Sequence, residues 1–189
     1  MCSGGRVVAI YTAAGSGLPM QLRSEARAVP GRGLEGDRYF ADNGTYSLRA
    51  VAGREVTELT LIESEVIDHL RGAWALDVDE RDSRRNLVTR GVALNDLVGE
   101  EFHVGAVRLR GAGLCEPCVS LVRSSENRGL LRALVHKGGL RAQILSKGLI
   151  AVGDLVERVT SPSVEVSATE VGRPGALFET MLNRGATRA

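Results

Sequence analysis

The sequence predicts a mainly β protein, a closed or nearly closed β-barrel decorated by a few short helices. Two observations indicate this fold class. Most segments rich in β-branched residues are short, and glycine turns separate several of them. Helical stretches are few and brief, unlike the regular alternation of a parallel α/β sheet. With 189 residues, 43% of them hydrophobic, the chain can build one hydrophobic core without disulfide or metal staples.

The N-terminal half is predicted to hold three strands and one helix. Residues 6–12 are rich in β-branched residues, residues 55–62 alternate like a half-buried strand, and residues 86–89 form a short strand. Residues 63–70 place apolar side chains at helical spacing. Residues 13–37 are rich in glycine and proline, and we expect a long loop there, of a kind that is often functional.

The C-terminal half is predicted to consist mainly of short strands. They are residues 101–104, 106–110, 140–145, 149–152 and 154–159. A helical turn is expected over 93–98, and a short helix over 129–136 ends at a Gly-Gly pair. We expect one domain, residues 1–160, followed by a tail or short helical arm, residues 161–189, where the composition becomes rich in Ser, Thr and Glu. Such an arm is a candidate contact in a homodimer.

Composition excludes several classes of function. A net charge of +1 gives no basic field for nucleic acid or an anionic membrane, and 4% aromatic residues leave few rings to stack on bases. No run approaches the roughly 18 apolar residues of a transmembrane helix, and the N-terminus lacks a signal-peptide pattern. Three cysteines, an odd count, argue against a secreted disulfide framework. We therefore expect a cytoplasmic protein with no nucleic-acid or membrane partner.

The segment GAGLCEPCVSL, residues 111–121, places Cys115 and Cys118 three positions apart. Four roles are open to such a pair. A structural zinc site needs four ligands, and the three histidines show no ligand spacing, so zinc is disfavoured. A thioredoxin-like dithiol stays open, although the βαβ pattern of that fold is missing. Both cysteines can also be plain buried hydrophobic residues.

The fourth role is nucleophilic: a thiolate at Cys118 that accepts sulfur and passes it on as a persulfide. The thiolate is the reactive form of cysteine, and nearby cations favour it. Four arginines supply such a field if the fold gathers them: Arg84, Arg85, Arg90 and Arg141. A persulfide is a soft donor, suited to another thiol or to a metal.

Several motifs, in a fixed order, resemble one family. They are GLEGDRYF (33–40), REVTELTLIESEVI (54–67), RRNLVTRG (84–91), GAGLCEPC (111–118), HKGGLRAQIL (136–145) and IAVGDLV (150–156). Together they are similar to the MOSC domain, which is the C-terminal domain of molybdenum cofactor sulfurases and also occurs as small stand-alone proteins. The resemblance spans residues 7–159 and implies a β-rich barrel.

The resemblance also implies a function. Members of the family bind or carry sulfur for metal–sulfur assembly through a reactive cysteine, to which Cys118 corresponds; Cys115 corresponds to a cysteine found in only some relatives. We therefore expect a sulfur carrier linked to the molybdenum cofactor (molybdopterin), with Cys118 as candidate molybdenum ligand and a sulfur donor or acceptor protein as partner. Pyridoxal phosphate belongs to a separate domain of larger members and is not expected in this chain.

Six further residues are candidates for holding the cofactor. They are Asp37, Arg38, Arg84, Arg85, Asn86 and Arg141. Forked guanidinium groups suit a pterin phosphate, although arginines before a strand can also be plain solvated charges. Asp37 can orient an arginine or serve an ordinary turn. His136 is either a base near Cys118 or, as we favour, a histidine interacting with a helix C-terminus.

Two rival functions remain from the residues alone. One is a thiol–disulfide oxidoreductase that uses both cysteines of CEPC equally and needs no metal. The other is a non-catalytic module that binds a cofactor and never changes covalently. Separate mutation of each cysteine discriminates between them.

Overall fold

Eleven strands and two α-helices make up the described part of the chain, which is residues 4–41, 57–117, 121 and 129–159 of this computed structural model. The strands are β1 (Gly5–Thr12), β2 (Gln21–Arg23), β3 (Glu25–Val29), β4 (Gly33–Leu34), β5 (Leu59–Glu63), β6 (Leu87–Arg90), β7 (Glu101–Val104), β8 (Val107–Leu114), β9 (Leu140–Ile144), β10 (Gly148–Ala151) and β11 (Leu155–Arg158). The helices are α1 (Ser64–Ala73) and α2 (Gly129–Ala133), with 3-10 helices at Glu80–Ser83 and Leu94–Leu97. These elements belong to one compact unit, Met1–Val159. The predicted tail, 161–189, lies outside the described residues.

Seven strands close into a barrel, which confirms the predicted fold class. Their order is β11-β7-β8-β9-β5-β6-β1, and β1 pairs again with β11, where Gly5 lies opposite Val156. The β5–β6 pair is parallel, whereas the other neighbours in the barrel are antiparallel. A parallel pair needs a crossover connection, and α1 lies within that connection.

The expectation of a long loop over residues 13–37 is wrong, because this segment contains three short strands. β2 extends the barrel sheet beside β1, while β3 and β4 form a separate sheet with β10. In β3 the buried side chains of Ala26 and Ala28 alternate with more exposed ones. β3 is stabilised by a partner distant in sequence, with Glu25 opposite Ala151. Local composition cannot reveal such a pairing.

Two apolar cores lie on the two sides of the barrel wall. Leu61, Leu87 and Phe102 are fully buried in the first, inside the barrel. Ile62 and Val88 belong to the second, which is formed with apolar side chains of α1 and the α2 region. Because alternate residues of a strand point to opposite faces, β5 is buried on both faces rather than half-buried as predicted.

The other elements agree with the sequence predictions to within a few residues, and two differences shape the site. β8 runs on to Leu114, directly before the CEPC motif. α2 ends at Ala133, three residues before the predicted end at His136. Within the described ranges, none of the helices combines the length and apolar character needed to cross a membrane.

Candidate functional site

The pairing of β8 with β9 brings the CEPC motif to the glycines of HKGG. The two strands pair as far as Leu114 opposite Leu140. The N–H of Cys115 then donates to the carbonyl oxygen of Gly139 at 2.7 Å. A Cβ atom on Gly138 would overlap the carbonyl oxygen of Cys115, so glycine is needed for this close approach. The first cysteine of the motif is therefore seated directly against the glycine pair.

Arg85 joins three segments of the site with one side chain. It is 8% exposed. Its Nε donates to the carbonyl oxygen of Gly138 at 2.7 Å, and its Nη2 donates to that of Cys115 at 2.9 Å. Its Nη1 donates to the carbonyl oxygen of Ser83 at 3.0 Å. Arg85 thus ties the residues before β6 to the cysteine segment and to the glycine pair.

Arg84 directly precedes Arg85, but its guanidinium is not fully hydrogen-bonded. Its backbone is left-handed, with φ 57° and ψ 27°. Its Nη1 donates to the carbonyl oxygen of Leu18 at 3.0 Å, but its Nη2 is buried with no hydrogen-bond partner among the described residues. Burial lowers the pKa of Arg84, and the charge of Arg38 lowers it further. A buried cationic donor without a partner is uncommon and unfavourable.

Arg38 lies close to Arg84 and is itself held in place by Asp37. Arg38 donates through Nη2 to the backbone carbonyl of Arg84 at 2.8 Å and through Nη1 to Oδ1 of Asp37 at 3.2 Å. The Asp37 carboxylate is buried and also accepts the N–H groups of Ala13, at 3.0 Å, and Tyr39, at 3.1 Å. Asp37 therefore orients Arg38 and also makes the turn contact that the sequence offered as the alternative, since it accepts the N–H of Tyr39 two residues on.

Tyr39 is a member of the cluster that sequence reasoning missed. Its ring is buried, and the Arg38 guanidinium lies 4.7 Å from the ring centroid. Burial raises the pKa of Tyr39, and negative charge on the Cys115 thiol raises it further, while Arg38 and Arg85 oppose the rise. Tyr39 therefore lies within electrostatic range of Cys115. The signal was its place directly after Asp37-Arg38 in GLEGDRYF.

Asn86 and Arg141 serve the barrel wall beside the site. The Asn86 amide is fully buried; its Oδ1 accepts the N–H and the hydroxyl of Thr60, at 3.2 and 2.9 Å, and its Nδ2 donates to Tyr11. Arg141, on β9, donates through Nε to the carbonyl oxygen of Leu114 at 3.1 Å. Both contacts fix the strand ends from which the arginine and cysteine segments emerge.

The second cysteine of the motif, Cys118, lies outside the described residues. Cys115 is a free, partly buried thiol. No three His, Cys, Asp or Glu side chains within the described ranges are grouped so as to hold a metal ion. His136 lies beyond the end of α2, and its exposed imidazole contacts Glu116 of CEPC rather than a helix C-terminus.

Comparison with solved structures shows where this barrel recurs. The YuaD protein from Bacillus subtilis matches with a TM-score of 0.67 at 16% identity, over 82% of this chain and 94% of that one. YiiM from Geobacillus stearothermophilus matches with a TM-score of 0.61 at 15% identity, over 82% of this chain and 75% of that one. YiiM from Escherichia coli gives 0.58 at 18% identity, over 83% and 70%. At these identities the similarity shows the fold alone.

The sequence itself carries the family assignment. Comparison with curated proteins found no match. The family model described as the MOSC domain matches residues 49–157, which is more than half of the chain. This range includes the arginine pair, the CEPC motif and the glycine pair whose contacts are described above. The chain therefore belongs to the MOSC domain family.

Proposed function

We propose that this MOSC protein is a sulfur carrier that binds an anionic cofactor, the molybdenum cofactor, beside its reactive cysteine. Arg84 and Arg38 hold an anionic group of the ligand, and Cys118 carries the transferred sulfur as a persulfide. A reducing compartment, the cytoplasm, keeps the thiols available for this chemistry. The partners are a sulfur donor or acceptor protein, with neither nucleic acid nor a membrane involved.

The unsatisfied Nη2 of Arg84 is the observation that carries the proposal. This donor is buried without a hydrogen-bond partner among the described residues, and its guanidinium is near a second cation, Arg38. An incoming anion satisfies the donor and offsets the repulsion between the two cations at once. Since the pKa of Arg84 is lowered by burial and by Arg38, its charged form has the most to gain from a negative ligand.

We infer that the ligand is the molybdenum cofactor and not pyridoxal phosphate. For the molybdenum cofactor, Arg84 and Arg38 would hold the phosphate, and Cys118 would ligate the metal; when bound, this group supplies a metal that takes a sulfur ligand. Pyridoxal phosphate needs a lysine for its Schiff base. The sequence has two lysines, Lys137 and Lys147, and both are exposed. These lysines therefore do not fit pyridoxal phosphate.

The sulfur transfer proceeds by thiol exchange. The Cys118 thiolate attacks the outer sulfur of a donor persulfide, and the donor leaves as a thiolate. An acceptor thiolate then attacks the outer sulfur now on Cys118, and the Cys118 thiolate is the leaving group. Where no acceptor arrives, the Cys115 thiolate attacks the inner sulfur of Cys118, releases HS⁻ and leaves a Cys115–Cys118 disulfide. Each step exchanges one S–S bond for another, without net oxidation.

The direct test is the intact mass of protein purified from its native host, together with elemental analysis. We expect one added sulfur atom that maps to Cys118, or stoichiometric molybdenum. Cys118→Ser should abolish both the adduct and transfer, while Cys115→Ser retains them. Loss that is equal in the two variants would instead support the dithiol oxidoreductase. Cofactor binding that survives in both variants, with no adduct in the native protein, would support the non-catalytic binding module.

A further inference from the structure

Glu116, between the two cysteines, binds the segment that follows α2 with both of its carboxylate oxygens. Oε2 accepts the backbone N–H of His136 at 3.0 Å. Oε1 lies 2.9 Å from Nδ1 of the same residue. A single residue therefore receives two hydrogen bonds from one partner, one through the main chain and one through the imidazole. We name this arrangement the Glu116–His136 latch.

His136 is itself fixed in an unusual conformation at this point. Its φ is 57°, in the left-handed region that a non-glycine residue seldom adopts. Its carbonyl oxygen accepts the side-chain amide of Asn95 at 3.1 Å. The N–H that meets Glu116 is therefore presented by a backbone that Asn95 anchors from the other side. Such a conformation persists where the surrounding structure enforces it.

The latch completes a clamp on the first half of CEPC. Cys115 is bonded through its N–H to Gly139 and through its carbonyl oxygen to Arg85. Both of these contacts act on the backbone of residue 115. Glu116 adds contacts one residue further along, toward Cys118. The chain is consequently held at residue 116 as well as at residue 115.

We propose that Glu116 is a positioning residue for sulfur loading at Cys118. Through its contacts with His136, it holds the first half of the CEPC segment in place. The inference rests on the proposed function for the identity of the reactive thiol. The hydrogen bonds of the latch do not depend on the proposed function, because they join residues that the structure describes.

The test compares Glu116→Ala with Glu116→Gln. Both substitutions remove the negative charge, but only glutamine keeps an oxygen that accepts the N–H of His136. The readout is the rate of iodoacetamide alkylation at Cys115, resolved by peptide mass spectrometry, together with the fraction of Cys118 that a donor persulfide loads. Alanine should raise the Cys115 rate by about three- to tenfold, because two hydrogen bonds are lost. Glutamine should restore most of the wild-type rate and loading.

His136→Gly provides a second variant, and Asp68→Ala a matched control. Glycine tolerates positive φ and keeps the backbone N–H but lacks the imidazole, so an intermediate alkylation rate is expected. Asp68 makes an exposed ion pair with Arg90 outside the site, and its loss should leave both readouts unchanged. Thermal unfolding midpoints establish that each variant is folded.

Two outcomes overturn the inference. If alanine and glutamine give the same alkylation rate, Glu116 acts by charge alone. If the alanine rate equals the wild-type rate, the latch does not position the segment. A failure of the proposed function looks different: the wild-type Cys118 then takes up no sulfur, while the alkylation rates at Cys115 still separate alanine from glutamine.

Discussion

Two neighbouring regions of the site differ in how completely they hydrogen-bond an arginine. Around Arg85, every guanidinium nitrogen donates to a backbone carbonyl, and the side chain joins three segments. Around Arg84, one nitrogen is buried with no partner within the described ranges, and a second cation lies nearby. Both positions carry the same residue type, arginine. The difference shows that one arginine joins the segments of the site, while the other keeps a donor without a partner among the described residues.

The largest effect should come from Arg85. Arg85→Ala leaves three carbonyl oxygens without their buried donor, so we expect the free energy of unfolding in urea to fall by about 3–5 kcal/mol. Arg81→Ala, a neighbouring arginine with an exposed side chain, is the control and should change it by less than about 0.5 kcal/mol. An Arg85→Ala protein as stable as the control would show that Arg85 does not hold the three segments together.

Gly138 should give the second largest effect. An alanine Cβ there overlaps the carbonyl oxygen of Cys115, so Gly138→Ala should lower the free energy of unfolding by about 1–3 kcal/mol and displace the cysteine segment from Arg85. Gly72→Ala, in α1 where a Cβ meets nothing, should instead stabilise the protein by about 0.5–1 kcal/mol. Equal effects of the two substitutions would refute the close approach.

Glu58 is a buried carboxylate whose charged form is unfavourable even though it accepts hydrogen bonds. Its carboxylate accepts the N–H groups of Gly31 and Ile144, at 3.1 and 3.0 Å, yet burial outweighs them and raises the pKa of Glu58. Below the ordinary glutamate pKa both states are protonated. As the pH rises from there to the raised pKa, the unfolded state ionises first and the native state loses stability; above that window the loss is constant.

Glu58→Gln should therefore flatten the pH dependence of stability across that window. Urea unfolding between pH 4 and pH 7 tests this by giving the free energy of unfolding at each pH. The slope of that free energy against pH should be smaller in the variant than in the wild type, by about the contribution of one proton. Glu116→Gln is the matched comparison because the pKa of Glu116 is lowered, so its contribution to stability is lost as the pH falls. If Glu58→Gln leaves the slope intact, the pKa of Glu58 is not raised in the native state.

Arg84 should show the smallest change in stability. Arg84→Gln removes a half-buried charge whose pKa is already lowered by burial and by Arg38, so the free energy of unfolding should rise slightly, by less than about 1 kcal/mol. Urea unfolding without added anions measures this. A large loss of stability would show that Arg84 is a structural residue like Arg85.

The sequence was sufficient for the parts of the molecule that local patterns control. Short β-branched segments and glycine turns predicted the barrel, and the period of Val66, Ile67 and Leu70 predicted α1. Whether the arginine pair lies near CEPC was left open by the sequence, and the structure shows that Arg85 contacts Cys115 directly. Elements that depend on pairing with a distant segment could not be predicted. β3, for example, depends on its pairing with β10.

The same limit applies within the site. Arg84 and Arg85 differ because of carbonyl oxygens contributed by distant segments, and nothing in the letters around them distinguishes the two. Tyr39 joins the cluster through its contact with Arg38, and Glu116 through His136, twenty residues away in sequence. Each of these relations depends on tertiary packing rather than on a local period.

Thermal unfolding with increasing inorganic phosphate, against chloride at equal ionic strength, measures whether Arg84 binds anions. An anion that binds the native state raises the unfolding midpoint as its concentration exceeds the dissociation constant. We expect wild type and the charge-matched Arg81→Ala to show the phosphate-specific rise and Arg84→Gln to lose it. An identical rise in all three proteins would contradict the account.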